Sequence, residues 1–372
     1  MRRITRVDLR QVDLEPKVVR TDAIQAFVRQ ETLLVTVFDD TGLAGTGYAY
    51  TIGTGGSSVL ALLHDHLAPR LLGRDPIDVE AIWKDLFFHT HATAVGAITS
   101  LALAAIDTAL WDWRARALNL PLWQLLGGAQ ARVPVYTTEG GWLHLEAAQL
   151  IEQTLAAKAA GFRGAKIKIG RPHLSEDVAR LAAVRAAVGE SFELMTDANQ
   201  GFTRDEARRR AAAFAAAGLG LAWLEEPLPA EDIEGHVELA RSTAIPIAVG
   251  ESLYHPVQFR EYLARGACSI VQADVARIGG ITPWLKVAHL AETFNVPICP
   301  HFLMELHVSL CAGVPNAKWV EFIPQLDDIT TSRVTIEGGH ALAPSNAGLG
   351  IEWDWDAIGR CQKASLTLSQ GS

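Results

Sequence analysis

The sequence predicts an α/β protein in which a (β/α) barrel follows an α+β capping domain. The main evidence is a series of short apolar segments that alternate with helical stretches from Val133 onward. Eight segments read as strands: VPVYTT, GAKIKIG, FELMTDAN, LAWLEEP, IPIAVGES, SIVQADVA, VPICPHF and KWVEFIP. Strands that alternate with helices form parallel β/α units, and eight such units close a barrel. The first 130 residues lack this alternation of strands and helices, and they form the other predicted unit.

The order of patterns along the chain gives the domain boundaries. Near the start, β-rich segments at 32–38 and 43–52 flank a turn and predict an antiparallel hairpin. A helical pattern follows from about 56 to 126. After the last barrel strand the alternation of strands and helices ends. The C-terminal segment with the WDWDAIG stretch is expected to pack back on the first unit. The predicted domains are the capping domain 1–130, the barrel 131–323 and a returning C-terminal segment, 324–372.

The composition excludes several classes of protein. Hydrophobic residues make up 49% of the chain and charged residues 20%, a balance typical of a folded globular protein. The net charge of −9 offers no basic field to a nucleic acid, although a local cation cluster can still bind an anionic small molecule. The apolar stretch 97–110 is interrupted by Asp107 and predicts a buried helix rather than a membrane span. With no secretion signal and no CxxC spacing, we expect a cytoplasmic protein with free thiols.

Two lysines end the second predicted barrel strand. Lys166 and Lys168 are two residues apart, so both side chains point to the same face of the strand. Reactive residues of a β/α barrel lie at the carboxyl ends of its strands. Repulsion between the two lysines, together with burial, is expected to lower the pKa of both and to make a usable base. Either lysine alone would more often belong to a structural ion pair.

The next three strands end in carboxylates. Asp197, Glu225 and Glu251 would repel one another at the barrel mouth unless they shared a cation. Oxygen ligands of this kind suit Mg²⁺, with Mn²⁺ as the alternative, rather than zinc. The neighbouring Glu226 is interpreted as structural, in an ion pair with a lysine or arginine.

The last three strands carry Asp274, His301 and Glu321. A carboxylate that accepts from one nitrogen of an imidazole orients the ring and leaves the other nitrogen free for proton transfer. His301 alone would be interpreted as a buried histidine whose hydrogen bonds are formed within the core. Ionisable groups at the ends of seven successive strands instead indicate a catalytic site.

These motifs, taken together, resemble the enolase superfamily and specifically its mandelate racemase subgroup. The resemblance is carried by AIDTALWDWRARALNLPLWQLLGG before the barrel and, in the family's order, by KIK, TDANQ, EEP, GES, RIGGIT and WVEF. It covers nearly the whole chain. It implies the family's modified TIM barrel with its α+β capping domain, and an enzyme that removes the proton next to a substrate carboxylate.

The resemblance also implies a role for each residue. The proton is exchanged with Lys168 on one face of the substrate, and with His301, oriented by Asp274, on the other. The groups that stabilise the developing negative charge are the Mg²⁺ ligands Asp197, Glu225 and Glu251, Lys166 beside the substrate carboxylate, and Glu321 as hydrogen-bond donor to the oxygen that becomes enolate-like.

The substrate follows less directly from the sequence. Asn199 is expected to contact a substrate hydroxyl, while Lys17 and Arg20 in the first loop are read equally well as binding residues or as solvated surface charges. A polyhydroxylated acid, with or without a second carboxylate, is the expected substrate, and loss of water from it gives a 2-keto-3-deoxy acid.

Two other functions remain open from the residues. The same groups suit a racemase or epimerase of a 2-hydroxy acid, and a non-catalytic barrel that only binds a ligand is the third reading. The resemblance implies a homo-oligomer, an octamer or a smaller even assembly. Neither a nucleic acid nor a membrane is expected as a partner.

Overall fold

The chain begins with an α+β unit. The computed structural model describes residues 2–93 and 96–370. Within that part of the chain the unit comprises β1 (Ile4–Leu14), β2 (Arg20–Thr21), β3 (Ala26–Phe27), β4 (Gln30–Asp39), β5 (Ala44–Thr51), α1 (Gly56–Leu62), a π-helical turn (Leu63–Leu67), a 3-10 turn (Ala68–Leu71), α2 (Val79–His89), α3 (Ala97–Ala117) and α4 (Leu122–Leu125). The predicted hairpin is confirmed as β4 and β5. No helix in the described residues is long and apolar enough to cross a membrane.

The buried helix α3 packs closely against β5 of the capping sheet. Two glycines on the strand permit this approach. A Cβ atom at Gly47 would lie 2.2 Å from the backbone nitrogen of Ala109, and one at Gly45 would lie 2.3 Å from the carbonyl oxygen of the same residue. Any larger residue at these positions would force the helix off the sheet.

The second unit is a barrel of parallel strands with helices on the outside. Its elements are β6 (Arg132–Thr137), α5 (Ala147–Ala159), β7 (Gly164–Lys168), α6 (Leu174–Val188), β8 (Glu193–Asp197), α7 (Arg204–Ala216), β9 (Leu221–Glu225), α8 (Ile233–Ser242), β10 (Ile247–Val249), α9 (Pro256–Ala264), β11 (Ile270–Val271), α10 (Ile281–Thr293), α11 (Met304–Gly313) and β12 (Val320–Phe322). Strands β6 to β11 pair in order, and β12 pairs in parallel with β6. The predicted fold class is confirmed.

The seventh strand of the barrel is reduced to a single residue. Ile298 bridges Val271 on one side and Ala317 on the other, where the sequence predicts a full strand. Pro297 and Pro300 flank it and have no N–H to donate, so the ladder cannot extend in either direction. The ring still closes through this one residue.

Apolar side chains fill the interior of the barrel. A cluster contributed by most of its strands contains Tyr136, Met195, Trp223, Ala248, Ile270, Cys299 and Trp319. A core packed in this way leaves no channel, so polar chemistry is confined to the strand ends.

The capping helix α3 is joined to the barrel through the start of α10. The carboxyl group of Asp107 accepts the backbone N–H of Thr282 at 2.8 Å and its hydroxyl at 2.7 Å. Gly280, which precedes the helix, has no side chain to cap it, and a Cβ atom there would lie 2.4 Å from Asp107 Oδ2. A residue of one unit therefore caps a helix of the other.

The C-terminal segment divides between the two units. Its elements are β13 (Ile336–Glu337), β14 (His340–Leu342), α12 (Trp355–Cys361) and β15 (Gln362–Ser369). β15 pairs antiparallel with β1, at the edge of the capping sheet. β14 instead pairs antiparallel with the barrel strand β6, so residues 336–342 do not return to the capping domain as the sequence predicts. A three-residue strand carries too little periodicity to reveal its partner.

We expect Asp107→Ala to lower the free energy of unfolding by about 1–3 kcal/mol, because it leaves the buried donors of Thr282 without an acceptor. Chemical denaturation measures this change. Asp205→Ala removes an exposed acid from the start of α7 and should change stability by less than about 0.5 kcal/mol. Equal stability of the two variants would contradict this role for Asp107.

Candidate active site

The parallel register of the barrel brings the predicted site residues side by side. Lys168 of β7 lies opposite Asp197 of β8, and Asp197 lies opposite Glu225 of β9. Glu251 follows the end of β10 in the same layer. All four side chains are buried. The alternation of a strand therefore places one chemical group from each of four successive strands at one mouth.

Three of these side chains form a cluster that could hold a metal ion. One carboxylate oxygen from each of Asp197, Glu225 and Glu251 lies within 4.8 Å of the other two. Oxygen Oε2 of Glu225 is fixed by the indole N–H of Trp223 at 3.0 Å and by the amide of Gln272 at 2.7 Å. Oε2 of Glu251 lies 3.2 Å from Nε2 of His301, but no donor reaches it in hydrogen-bonding geometry among the described residues.

The charges around the cluster do not balance. Five buried carboxylates lie at the strand ends: Asp197, Glu225, Glu251, Asp274 and Glu321. They face three permanent cations, which are Lys166, Lys168 and Arg277. Burial and the nearby charge of Asp197 raise the pKa of Glu225 to about 7. A divalent cation with oxygen ligands would relieve this repulsion, so the residues present fit Mg²⁺.

The two lysines are held by these carboxylates. Nζ of Lys166 lies 2.8 Å from Glu225 and 2.9 Å from Glu321, and Nζ of Lys168 contacts Asp197 and, at 2.9 Å, Oδ1 of Asn199. The sequence predicts a lowered pKa for both lysines, and this prediction is wrong for the structure. Burial acts to lower the pKa, but the facing carboxylates outweigh it and raise the pKa of each lysine. Attraction to the acids exceeds the repulsion between the lysines, because the structure brings carboxylate oxygens into direct contact with each Nζ atom, a distance that the sequence does not give.

On the other side of the mouth, His301 belongs to a hydrogen-bonded chain. Its Nδ1 lies 3.0 Å from Oδ2 of Asp274, and the same oxygen accepts the hydroxyl of Tyr50 at 2.7 Å. Oδ1 of Asp274 accepts the backbone N–H of Ala276 and Arg277. Burial acts to raise the pKa of Asp274, but the hydrogen bond from His301 and the surrounding positive charge lower it to about 2. The carboxylate is thus ionised and fixes the orientation of the imidazole.

Glu321 is an acceptor in this structure, not the donor that the resemblance implies. Its Oε1 accepts from Thr138 and Lys166, and its Oε2 accepts the backbone N–H of Phe302 at 2.8 Å. Burial acts to raise the pKa of Glu321, but Lys166 and the other positive groups hold it well below the usual range. An ionised carboxylate has no proton to donate.

The comparisons with known proteins decide the family. Residues 6–127 match the N-terminal domain of mandelate racemase and muconate lactonizing enzyme, and residues 146–357 match the family described as enolase C-terminal domain-like. The chain belongs to the mandelate racemase group of the enolase superfamily. L-talarate/galactarate dehydratase of Salmonella typhimurium is 36% identical over 83% of this chain and 77% of its own length. A crystal structure of that dehydratase, liganded with Mg and L-lyxarohydroxamate, has a TM-score of 0.94, with 32% identity over 99% of this chain and 95% of that one.

Two further relatives differ from the dehydratase in their names. A 3,6-anhydro-alpha-L-galactonate cycloisomerase of Streptomyces coelicolor is 36% identical over 95% of this chain and 98% of its own length. The structure of a racemase from Streptomyces coelicolor A3(2) with bound magnesium has a TM-score of 0.92, with 35% identity over 96% of this chain and 99% of that one. Membership of the superfamily therefore leaves the overall reaction open.

The first loop of the capping domain, residues 15–29, contributes side chains to the cavity at this mouth and is called the lid below. Arg20 is buried and lines the catalytic cavity, together with Asp22 of the same loop. The structure does not bring Lys17 to this cavity. Lys17 is two-thirds exposed, lies beside a neighbouring cavity and pairs with Asp328 at 2.7 Å. Asn199 does line the catalytic cavity, held in the left-handed region with a φ of 42°.

The structure corrects the interpretation of Glu226 and adds Tyr50 to the site. Glu226 accepts from the amide of Gln200 at 3.1 Å and forms no ion pair with a described lysine or arginine, contrary to the sequence-based interpretation. Burial and the charge of Glu251 raise the pKa of Glu226 well above the usual value, which favours its neutral form. Tyr50 is a site residue that sequence reasoning missed. Its only sequence signal is its place at the end of a capping strand, just before the loop that faces the barrel.

We expect Glu251→Gln to weaken Mg²⁺ binding at least tenfold, because it removes one of three anionic ligands while Arg277 keeps an oxygen partner. Calorimetric titration measures this affinity, and differential scanning calorimetry should show an unchanged or higher melting temperature for the metal-free variant, since fewer like charges remain.

Glu226→Gln is the matched control for this metal site. It changes the adjacent acid, which lies outside the cluster of three, and should leave Mg²⁺ affinity within about twofold of the wild type. Equal Mg²⁺ affinity of Glu251→Gln and the wild type would remove Glu251 from the ligand set.

Proposed function

We propose that this protein is a Mg²⁺-dependent acid-sugar dehydratase, which removes the proton next to the carboxylate of a hydroxylated acid and then eliminates water to give a 2-keto-3-deoxy acid. One observation carries the proposal. A single cavity is lined by Lys168 and by His301, which is backed by Asp274, and it borders the cluster of three carboxylates. The dehydratase named above, whose structure holds Mg, supports the same reaction.

Several residues stabilise the negative charge that develops on the substrate. Mg²⁺ held by Asp197, Glu225 and Glu251 would supply a Lewis acid for the substrate carboxylate and would compete with Lys168 for Asp197. Lys166, fixed between two carboxylates, neutralises the negative charge that develops on the substrate carboxylate as the proton leaves. In this arrangement Glu321 holds Lys166 in place.

The elimination is a balanced transfer of protons. The C–H bond next to the carboxylate breaks, and its proton passes to the neutral form of Lys168 or of His301. The electron pair forms a double bond as the C–O bond at the next carbon breaks, and the hydroxyl leaves as water with a proton from His301. The resulting enol becomes the 2-keto acid. His301 suits the donor role because Asp274 fixes its ring by the other nitrogen.

The polar lining of the cavity favours the dehydratase over a site for an aromatic acid. Groups able to bond hydroxyls come from Arg20, Asp22, Gln25, Asn199, Gln200 and Ser252. Of the aromatic side chains at the cavity, the ring of Phe302 is stacked on His301 and packs against Tyr50 in a tilted arrangement. That ring is therefore engaged within the protein.

The alternative is a racemase or epimerase of a 2-hydroxy acid, in which a proton is removed by one base and returned by the other. The presence of Lys168 and His301 at one cavity supports this alternative, and one similar structure is named a racemase. The complete set of acids and bases disfavours a non-catalytic barrel. A homo-oligomeric assembly, an octamer or a smaller even one, and a cytoplasmic location stay predictions.

The test of the function is a library of acid sugars, assayed with Mg²⁺ for 2-keto-3-deoxy acids. We expect turnover of at least one polyhydroxylated acid, loss of activity on prolonged chelation, and its return with Mg²⁺. Activity confined to racemisation would select the alternative, and full dehydration in metal-free protein would overturn the metal assignment.

The two bases predict separate defects in proton exchange. In D₂O, His301→Asn should lose exchange on one face of the substrate by at least a hundredfold and retain it on the other, while Lys168→Ala should show the reverse. NMR of recovered substrate measures both rates. Asp274→Asn should show a milder form of the His301 defect, because it acts through the orientation of the ring. Loss of both exchanges in each folded, metal-binding variant would contradict the two-base arrangement.

A further inference from the structure

The end of the catalytic cavity nearest the lid lacks a free cation. Arg20 is the only described cation that the lid contributes to this cavity, and it forms an ion pair with Glu139, which follows β6. The barrel cations at the cavity are likewise engaged, Lys166 by Glu225, Lys168 by Asp197 and Arg277 by Glu251. A metal ion that takes over the carboxylates would weaken the pairing of all three barrel cations, but it would not release Arg20.

The hydrogen-bonding groups of Arg20 are also largely used. Besides Glu139, Nη2 donates to the carbonyl of Pro324 at 3.2 Å, and Nη1 donates to Oε1 of Gln325 at 3.3 Å. Nε is buried and has no partner among the described residues. A bidentate grip on a carboxylate needs two parallel N–H groups of one edge, and Nη2 is taken. Of the five N–H groups, one on Nη1 and the buried one on Nε remain, and the N–H on Nη1 suits a single hydroxyl.

Asp22 adds negative charge at the same place. Its Oδ1 accepts the backbone N–H groups of Ile24 and Gln25, both at 2.8 Å, which fixes the side chain within its own turn. Among residues 2–93 and 96–370, no hydrogen bond reaches Oδ2. A carboxylate oxygen in this position accepts hydroxyl groups well and repels a second carboxylate.

The neighbouring cavity, on the far side of Arg20, is also lined mainly by acidic side chains among its charged residues. It is lined by Glu15, Asp327 and Asp328, with Lys17 as the added cation, and Lys17 is already paired with Asp328. Acidic side chains therefore line both of the cavities that Arg20 borders.

We propose that Asp22 and the Arg20–Glu139 pair select polyhydroxylated monocarboxylates and disfavour dicarboxylates of the same configuration. This inference rests on the proposed function and deepens it by naming the substrate class. Asp22 accepts distal hydroxyls and denies the position to a second negative charge, and Glu139 cancels the charge of Arg20, the one described cation that the lid contributes. The preference is opposite to that expected from the 36% identical talarate/galactarate dehydratase, whose name specifies dicarboxylates.

The experiment compares each aldonate with the aldarate of the same configuration, including galactonate with galactarate and gluconate with glucarate. Turnover is measured as kcat/KM with Mg²⁺, and binding is measured by calorimetry on Lys168→Ala. For the pairs that are accepted, we expect the aldonate to be favoured at least tenfold in both measurements. Asp22→Asn keeps the oxygen that closes the turn. It should shift the ratio of kcat/KM for the aldonate to kcat/KM for the aldarate at least tenfold towards the aldarate.

Two further variants test whether the preference depends on charge at the catalytic cavity. Glu139→Gln should free the charge of Arg20 and shift the ratio in the same direction, so the inference does not depend on one variant. Asp328→Asn removes a similar charge at the neighbouring cavity and should leave the ratio unchanged. An aldarate preference in the wild type, or a ratio that neither Asp22→Asn nor Glu139→Gln moves, overturns the inference while the dehydratase function stands. Absence of binding and turnover for every acid sugar overturns the proposed function and the inference together.

Discussion

Negative charge buried at the carboxyl ends of the barrel strands is the constraint on which the rest of the structure depends. Buried carboxylates are stable only when donors or cations surround them. The barrel supplies Lys166 and Lys168 from β7, the indole of Trp223 and the amide of Gln272. These contacts also explain why the pKa of the lysines is raised. Compensation by the protein is incomplete, and a divalent cation completes it.

The capping domain takes part in this balance and does more than cover the barrel. The hydroxyl of Tyr50, at the end of a capping strand, donates to Asp274 and accepts from Nε of Arg277, whose Nη1 reaches Glu251. One tyrosine thus links the His301 side of the site to the metal side. Correct docking of the two units is needed for this link, and the cap that Asp107 places on α10 fixes that docking.

The lid is tied to the barrel by polar contacts more than by apolar packing. Thr21 accepts the backbone N–H of His144 through its hydroxyl and the N–H of Leu143 through its carbonyl, beside the Arg20–Glu139 pair. Exposed apolar side chains of the same loop, Val18, Val19, Ile24 and Val28, gain nothing from this closure. Directional contacts of this kind hold a loop in one position and can open without exposing a core.

The sequence by itself determined the barrel and the identity of the groups at its strand ends, because a strand period of two and the rhythm of β/α units fix which residues reach the mouth. Lys168, Asp197 and Glu225 are neighbours for that reason. Only the tertiary structure decided their charge states, because these depend on distances between strands far apart in sequence. The same holds for Tyr50, for the pairing of β14 with β6, and for the division between Arg20 inside the site and Lys17 outside it. Loops and short strands carry no periodicity, so packing alone assigns their partners.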